Sequence, residues 1–76
     1  MMDIKLKVGL RIREIRVSKN LTQEKLAFFS GVDKTYISEV ENGKRNISIV
    51  NLEKLLLSLD VSFQEFFDNP DFIIKS

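Results

Sequence analysis

Apolar side chains recur along this chain at helical spacing almost from end to end, and nowhere do they alternate strictly, as a half-buried strand requires. In residues 5–18, Val8, Ile12 and Ile15 make one stripe, with Arg11, Arg13 and Glu14 mostly off it. Lys19-Asn20 ends that helix. Thr22 is a good N-cap for a second helix running to Ser30, with Glu24 in the first turn, where the dipole favours a carboxylate. Leu26 and Ala27 face inward there. Gly31-Val32 makes a tight turn, and Asp33 caps a third helix from Lys34 to about Asn42, anchored by Ile37 and Val40. Gly43 supplies a left-handed stop.

The second half repeats the same devices. Lys44-Arg45-Asn46 is a short basic loop. Ser48 caps a fourth helix, stapled by Ile47 against Leu52, with Leu52, Leu55, Leu56 and Leu59 as its apolar face. Ser62 with Glu65 reads as a capping box for a fifth helix, and Val61 with Phe66 as its staple. Asn69-Pro70 ends it and leaves an apolar tail, Phe72-Ile73-Ile74. No repeat, linker or low-complexity stretch interrupts the pattern. The expected fold is all-α: five short helices in one domain, residues 1–76, with a core at 5–68 and a tail at 69–76.

Composition narrows the function. A chain of 76 residues buries only about 60% of its unfolded surface, so one modest core must suffice. Cysteine and histidine are both absent, which removes disulfides, thiolate metal sites and the usual histidine acid–base arrangements. No metal or cofactor is expected. The carboxylates fall on caps and solvated faces, and no glycine-rich phosphate loop or triad spacing occurs, so an enzyme is not expected either. No apolar run, Leu55-Leu56-Leu57 included, approaches the length of a membrane span. Met1-Met2-Asp3-Ile4-Lys5 has no apolar signal core, which points to the cytoplasm.

Charge is unevenly spread. Residues 1–45 carry ten basic and six acidic side chains, net +4, whereas residues 46–76 carry two and five, net −3. A basic half joined to an acidic half suggests that one side faces a polyanion. Residues 23–42 are where that charge meets geometry. A small residue, Ala27, allows close helix approach, Gly31 permits a sharp turn, and Val32 plugs the corner, leaving the next helix projecting.

The residues Thr22-Gln23-Glu24-Lys25-Leu26-Ala27, Gly31-Val32, Tyr36-Ile37-Ser38 and Glu41-Asn42-Gly43-Lys44 resemble the helix-turn-helix of the Cro/phage-repressor (XRE) family. The likeness spans residues 8–67, and Ser30 is a departure from the common pattern. Asp33-Lys34-Thr35-Tyr36-Ile37-Ser38 followed by Arg45-Asn46 looks most like the controller proteins of restriction–modification systems. The resemblance implies a lambda-repressor-like fold and a transcriptional regulator of palindromic operator DNA. An antitoxin-type protein acting mainly through a protein partner remains the alternative, because a fold does not fix a function.

A third helix of about nine residues is roughly 13 Å long, close to the ~12 Å width of the major groove. Lys34, Thr35, Ser38 and Glu39 lie off its apolar face, with Tyr36 at the edge, as candidate base contacts. Lysine can donate to guanine, threonine can meet a base edge or the thymine methyl, and glutamate can accept from cytosine N4. The resemblance implies DNA-backbone contacts for Gln23 and Asn42. Lys44, Arg45 and Asn46 would reach a phosphate as the chain leaves the groove. Lys7, Arg11 and Arg13 are weaker candidates, since charges on a first helix usually serve solubility. The resemblance also implies a partly buried ion pair between Arg16 and Glu41 that orients the third helix.

Two modules at fixed spacing bind far better than one, and a two-fold dimer matches half-sites about 34 Å apart. Leu57, Phe63, Phe67, Phe72, Ile73 and Ile74 exceed what five short helices readily enclose. A homodimer through the fourth and fifth helices and the tail is therefore expected. The competing possibility is that Phe63 and Phe67 complete the monomer's own core.

Overall fold

The computed structural model describes residues 2–73. Among them are five α-helices, α1 (Ile4–Ser18), α2 (Gln23–Ser30), α3 (Lys34–Glu41), α4 (Ile49–Leu59) and α5 (Phe63–Phe67), and a 3-10 turn at Pro70–Phe72. No strand is present among the described residues. Each helix begins where a short polar side chain takes up a backbone N–H left free by the first turn. Thr22 accepts from the Lys25 N–H at 3.1 Å, Ser48 from Asn51 at 3.1 Å, and Asp33 from Thr35 at 2.9 Å. The Ser62–Glu65 capping box is reciprocal, with 3.0 Å from the Glu65 N–H to Ser62 Oγ and 3.4 Å from the Ser62 N–H to Glu65 Oε1. Asp3 adds a cap for α1, which starts one residue earlier than the apolar spacing alone indicates.

Gly31 and Gly43 end α2 and α3 with φ of 72° and 73°, a left-handed conformation in which a Cβ is unfavourable. Ser30, the departure from the family pattern, has a local use: its hydroxyl accepts the Val32 N–H at 3.1 Å across the turn. This satisfies a donor that no helix covers.

One core runs through the whole unit. Ile12, Leu26, Ile37, Leu55 and Phe66 are fully enclosed, joined by Val8, Ile15, Val32, Val40, Leu52, Leu56 and Leu59. Packing places α1 on α3, α2 on both α3 and α4, and α5 on α4. Helices as short as α2 and α3 are unstable alone, so this burial holds them. Gly9, mid-helix in α1, is buried where the backbone carbonyl of Val40 crosses it.

One expectation is corrected. Arg11 is not a solvated charge: its Nε donates to the Phe66 carbonyl at 2.8 Å and its Nη2 to the Glu65 carbonyl at 2.9 Å. It thereby ties α1 to the C-terminal turn of α5, where bare carbonyls need donors. After α5 the chain brings Phe72 back against the core. Asn69 caps the 3-10 turn, and the Phe72 ring sits 5.0 Å from Phe67 and 6.0 Å from Phe66, centroid to centroid.

Candidate nucleic-acid interface

The geometry of α3 follows from what lies behind it. Ile37 and Val40 are buried, three residues apart, so the opposite side of so short a helix must face outward. Lys34, Thr35, Ser38 and Glu39 line one shallow surface depression together with Gln23 from the start of α2. Five of the residues singled out in the sequence thus meet on one surface. Tyr36 is set to the side: its hydroxyl accepts the Ser48 N–H at 3.4 Å, linking α3 to the first turn of α4.

Glu41, at the end of α3, is only 4% exposed. Its Oε2 accepts from Arg16 Nε at 2.7 Å, and its Oε1 from Arg16 Nη2 at 2.9 Å and from Gln23 Nε2 at 3.1 Å. Arg16 Nη1 donates in addition to the Leu21 carbonyl at 2.7 Å. The hydrogen bonds that Arg16 donates to Glu41, reinforced by the carboxylate's charge, outweigh burial and raise the Arg16 pKa above the ordinary arginine value. This two-pronged pair fixes α3 against α1 and the start of α2. Gln23 thus joins the brace through its side-chain amide, whose nitrogen carries two N–H groups.

Two cations of the surface are held by neighbouring carboxylates. Lys34 Nζ lies 2.9 Å from Glu24 Oε1, and Arg45 Nη1 lies 3.2 Å from Glu39 Oε1. The Arg45 guanidinium also covers the Tyr36 ring, with Cζ 4.7 Å from the centroid. Exposed pairs of this kind contribute only about 0–1 kcal/mol, so a phosphate or a base can replace the carboxylate. Asn42 turns its amide back onto the Ser38 carbonyl at 2.9 Å. Lys44 and Asn46 stand exposed on the loop beside Arg45.

Several large apolar side chains beyond α3 are exposed. Leu57 is 75% exposed on α4, and Ile49, Val50, Phe67 and Ile73 are exposed as well. Phe63 and Phe72 are half-buried against their own core, and Ile74 lies outside the described residues. Ile49 and Val50 were not anticipated, because residues next to an N-cap carry no periodic signal yet. Phe28 and Phe29, stacked edge to face near the end of α2, are a further exposed pair, Phe28 being 82% exposed. Among the described residues no group of three acidic side chains is placed to hold a metal, and no helix is long and apolar enough to cross a membrane.

Comparison with known proteins agrees with this geometry. The helix-turn-helix family pattern matches residues 12–66. Control protein C.MunI from a Mycoplasma species is 43% identical over 70 residues, covering 91% of this chain and 95% of that protein. The crystal structure of the restriction–modification controller protein C.AhdI from Aeromonas hydrophila superposes with a TM-score of 0.80 at 49% identity, over 83% of this chain and 96% of the other. The controller protein C.Esp1396I, solved as a tetramer in complex with its natural 35-base-pair operator, has a TM-score of 0.83 at 41% identity, over 90% of each chain. The chain belongs to the helix-turn-helix family of the Cro/phage-repressor (XRE) type, among the relatives of the restriction–modification controller proteins.

Proposed function

We propose that this protein is a sequence-specific transcriptional regulator that binds palindromic operator DNA as a homodimer and controls a restriction–modification system. It works in the cytoplasm as one domain, without catalysis, metal or cofactor. One observation carries the reading: the outward face of α3 gathers Lys34, Thr35, Ser38 and Glu39 beside Gln23, on a helix braced from behind by Arg16 and Glu41. A small, rigidly held polar helix flanked by a basic loop is what a major groove accepts. Lys34, Thr35, Ser38 and Glu39 read base edges in this arrangement, with Tyr36 at the margin. Gln23, Asn42, Lys44, Arg45 and Asn46 meet the sugar–phosphate backbone.

Selecting bound sites from random duplex DNA tests the reading directly, and a two-fold symmetric consensus is expected. On that consensus, Lys34→Ala should cost roughly 1–3 kcal/mol and relax preference at one position, whereas Arg45→Ala should weaken binding without altering the preference at any single position and lower the salt slope by about one. Unchanged affinity and preference in Lys34→Ala would remove α3 as the reading element.

The dimer is assigned to an apolar surface, through Leu57, Phe67 and Ile73, with Phe63, Phe72 and Ile74 at its border and Ile49 and Val50 extending it along α4. The C.Esp1396I tetramer on its operator supports pairing of such dimers on DNA. Sedimentation at micromolar concentration should show a dimer for the native chain. Leu57→Glu, which sets a charge on an exposed position of that face, should give a folded monomer with operator affinity lower by tenfold or more, since avidity is lost. A dimer that survives Leu57→Glu would place the interface elsewhere.

A further inference from the structure

Glu39 is an unexpected residue on a surface meant for a polyanion. It lies in the same depression as Lys34, Thr35 and Ser38, yet it carries the charge that phosphates repel. Its Oε1 is engaged by Arg45 Nη1 at 3.2 Å, while its other oxygen takes no side-chain hydrogen bond among the described residues. Arg45 is held from a second side by the Tyr36 ring, 4.7 Å from its Cζ, and Tyr36 is in turn anchored through the Ser48 N–H at 3.4 Å. A chain of contacts thus runs from α3, through the loop cation, to the start of α4. In the major groove a carboxylate is matched only by an exocyclic amino group, cytosine N4 or adenine N6, and is mismatched by guanine O6, thymine O4 and every purine N7.

We propose that Glu39 is a specificity-determining residue that acts against wrong DNA. On non-operator duplex it retains Arg45 on the Tyr36 ring and away from phosphate. Where an amino group of the operator meets the carboxylate, Arg45 is released to the backbone. The pair is half-exposed, with side-chain exposures of 49% for Arg45 and 42% for Glu39, so the exchange of partners faces little resistance. This inference rests on the reading that α3 enters the groove, and goes beyond it by giving one residue a role in rejection.

The experiment compares two duplexes of equal length and composition: the sequence selected by the native protein and a scrambled version of it. Binding is measured over a salt series for the native chain, Glu39→Gln, Arg45→Ala and the double variant. Thermal melts verify that each is folded. Glu39→Gln should tighten the scrambled duplex roughly fivefold near 0.1 M salt and steepen the log–log salt slope by about 0.9, one further phosphate contact. The selected duplex should not tighten, so the preference between the two narrows. In the Arg45→Ala background the gain on scrambled DNA should vanish. Equal tightening on both duplexes would reduce Glu39 to general repulsion and overturn the proposal, as would a gain that persists without Arg45, or no gain at all. A native protein that shows no preference between the duplexes would overturn the DNA-reading assignment itself, and this inference with it.

Discussion

Gly9→Ala is expected to be the most damaging single-methyl change in the protein. A Cβ built at Gly9 would lie 2.1 Å from the Val40 carbonyl oxygen, 3.0 Å from that of Glu41 and 3.1 Å from the Glu41 carbonyl carbon. All three are backbone atoms at the end of α3, so no side chain can swing aside. Two effects oppose each other. Alanine gains about 1 kcal/mol over glycine in a helix interior. Against this, α1 must withdraw from α3 by on the order of 1 Å, a distance that forfeits a large part of the dispersion energy of each contact it opens. Val8, Ile12, Ile37 and Val40 all lose packing, and the bonds from Arg16 to Glu41 stretch. Overpacking of this kind costs about 1–3 kcal/mol where side chains can yield, and more where backbone meets backbone. A net loss of about 3 kcal/mol is expected, against a total of about 4–11 kcal/mol for a chain of 76 residues. At roughly 4–8 °C per kcal/mol, the melting temperature should fall by more than about 12 °C. Gly31→Ala provides the contrast. Nothing lies within 4 Å of its Cβ, and only the φ of 72° is strained, so about 1–2 kcal/mol is expected. Melts of the two variants side by side measure the difference. A Gly9→Ala protein that melts like the native one would mean that α1 and α3 are not in backbone contact.

The contrast between these glycines also marks what could be read before the fold was known. Gly31 and Gly43 were legible because a chain reversal after a helix is a local event, decided by one residue's own φ. The caps at Thr22, Asp33, Ser48 and Ser62 were legible for the same reason, since each oxygen bonds a backbone N–H two or three residues on. Gly9 gave no such signal. A glycine inside a helical pattern announces a close approach without naming what approaches. Arg11 looked like a solvated charge because its partners, the Glu65 and Phe66 carbonyls, are 54 and 55 positions away. The site divides along the same line. That Lys34, Thr35, Ser38 and Glu39 share a face is helical arithmetic. That Glu24 and Glu39 hold Lys34 and Arg45, and that Tyr36 is turned toward α4, are tertiary facts no period encodes. Residue 41's pairing with residue 16 came from family resemblance alone, for nothing local joins side chains 25 positions apart.

That last pair is the other place where one substitution should have a large effect. Glu41→Ala removes the acceptor for Arg16 Nε and Nη2 and for the Gln23 amide together. The arginine side chain is only 11% exposed and keeps a single protein partner, the Leu21 carbonyl. A guanidinium cannot shed its charge at any ordinary pH, so it must remain buried and under-bonded or be drawn out into water with the start of α2 in tow. Either course costs about 3–5 kcal/mol. Operator affinity should fall as well, beyond what unfolding explains, because α3 loses the bond that fixes its angle to α1 while its outward residues stay intact. The pair need not be a net source of stability, since desolvating two charges offsets most of their attraction. Arg16→Met combined with Glu41→Leu should therefore recover most of the lost stability, as apolar replacement of a buried pair commonly does. Denaturant titrations of both single variants and the double give the coupling, and operator binding by the double variant separates the two roles. Restored stability with poor DNA binding would show that the charge pair is retained for orientation. Restored binding would show that any well-packed contact at this position holds the reading helix in place. Losses that simply add in the double variant would mean that Arg16 and Glu41 do not act as a unit.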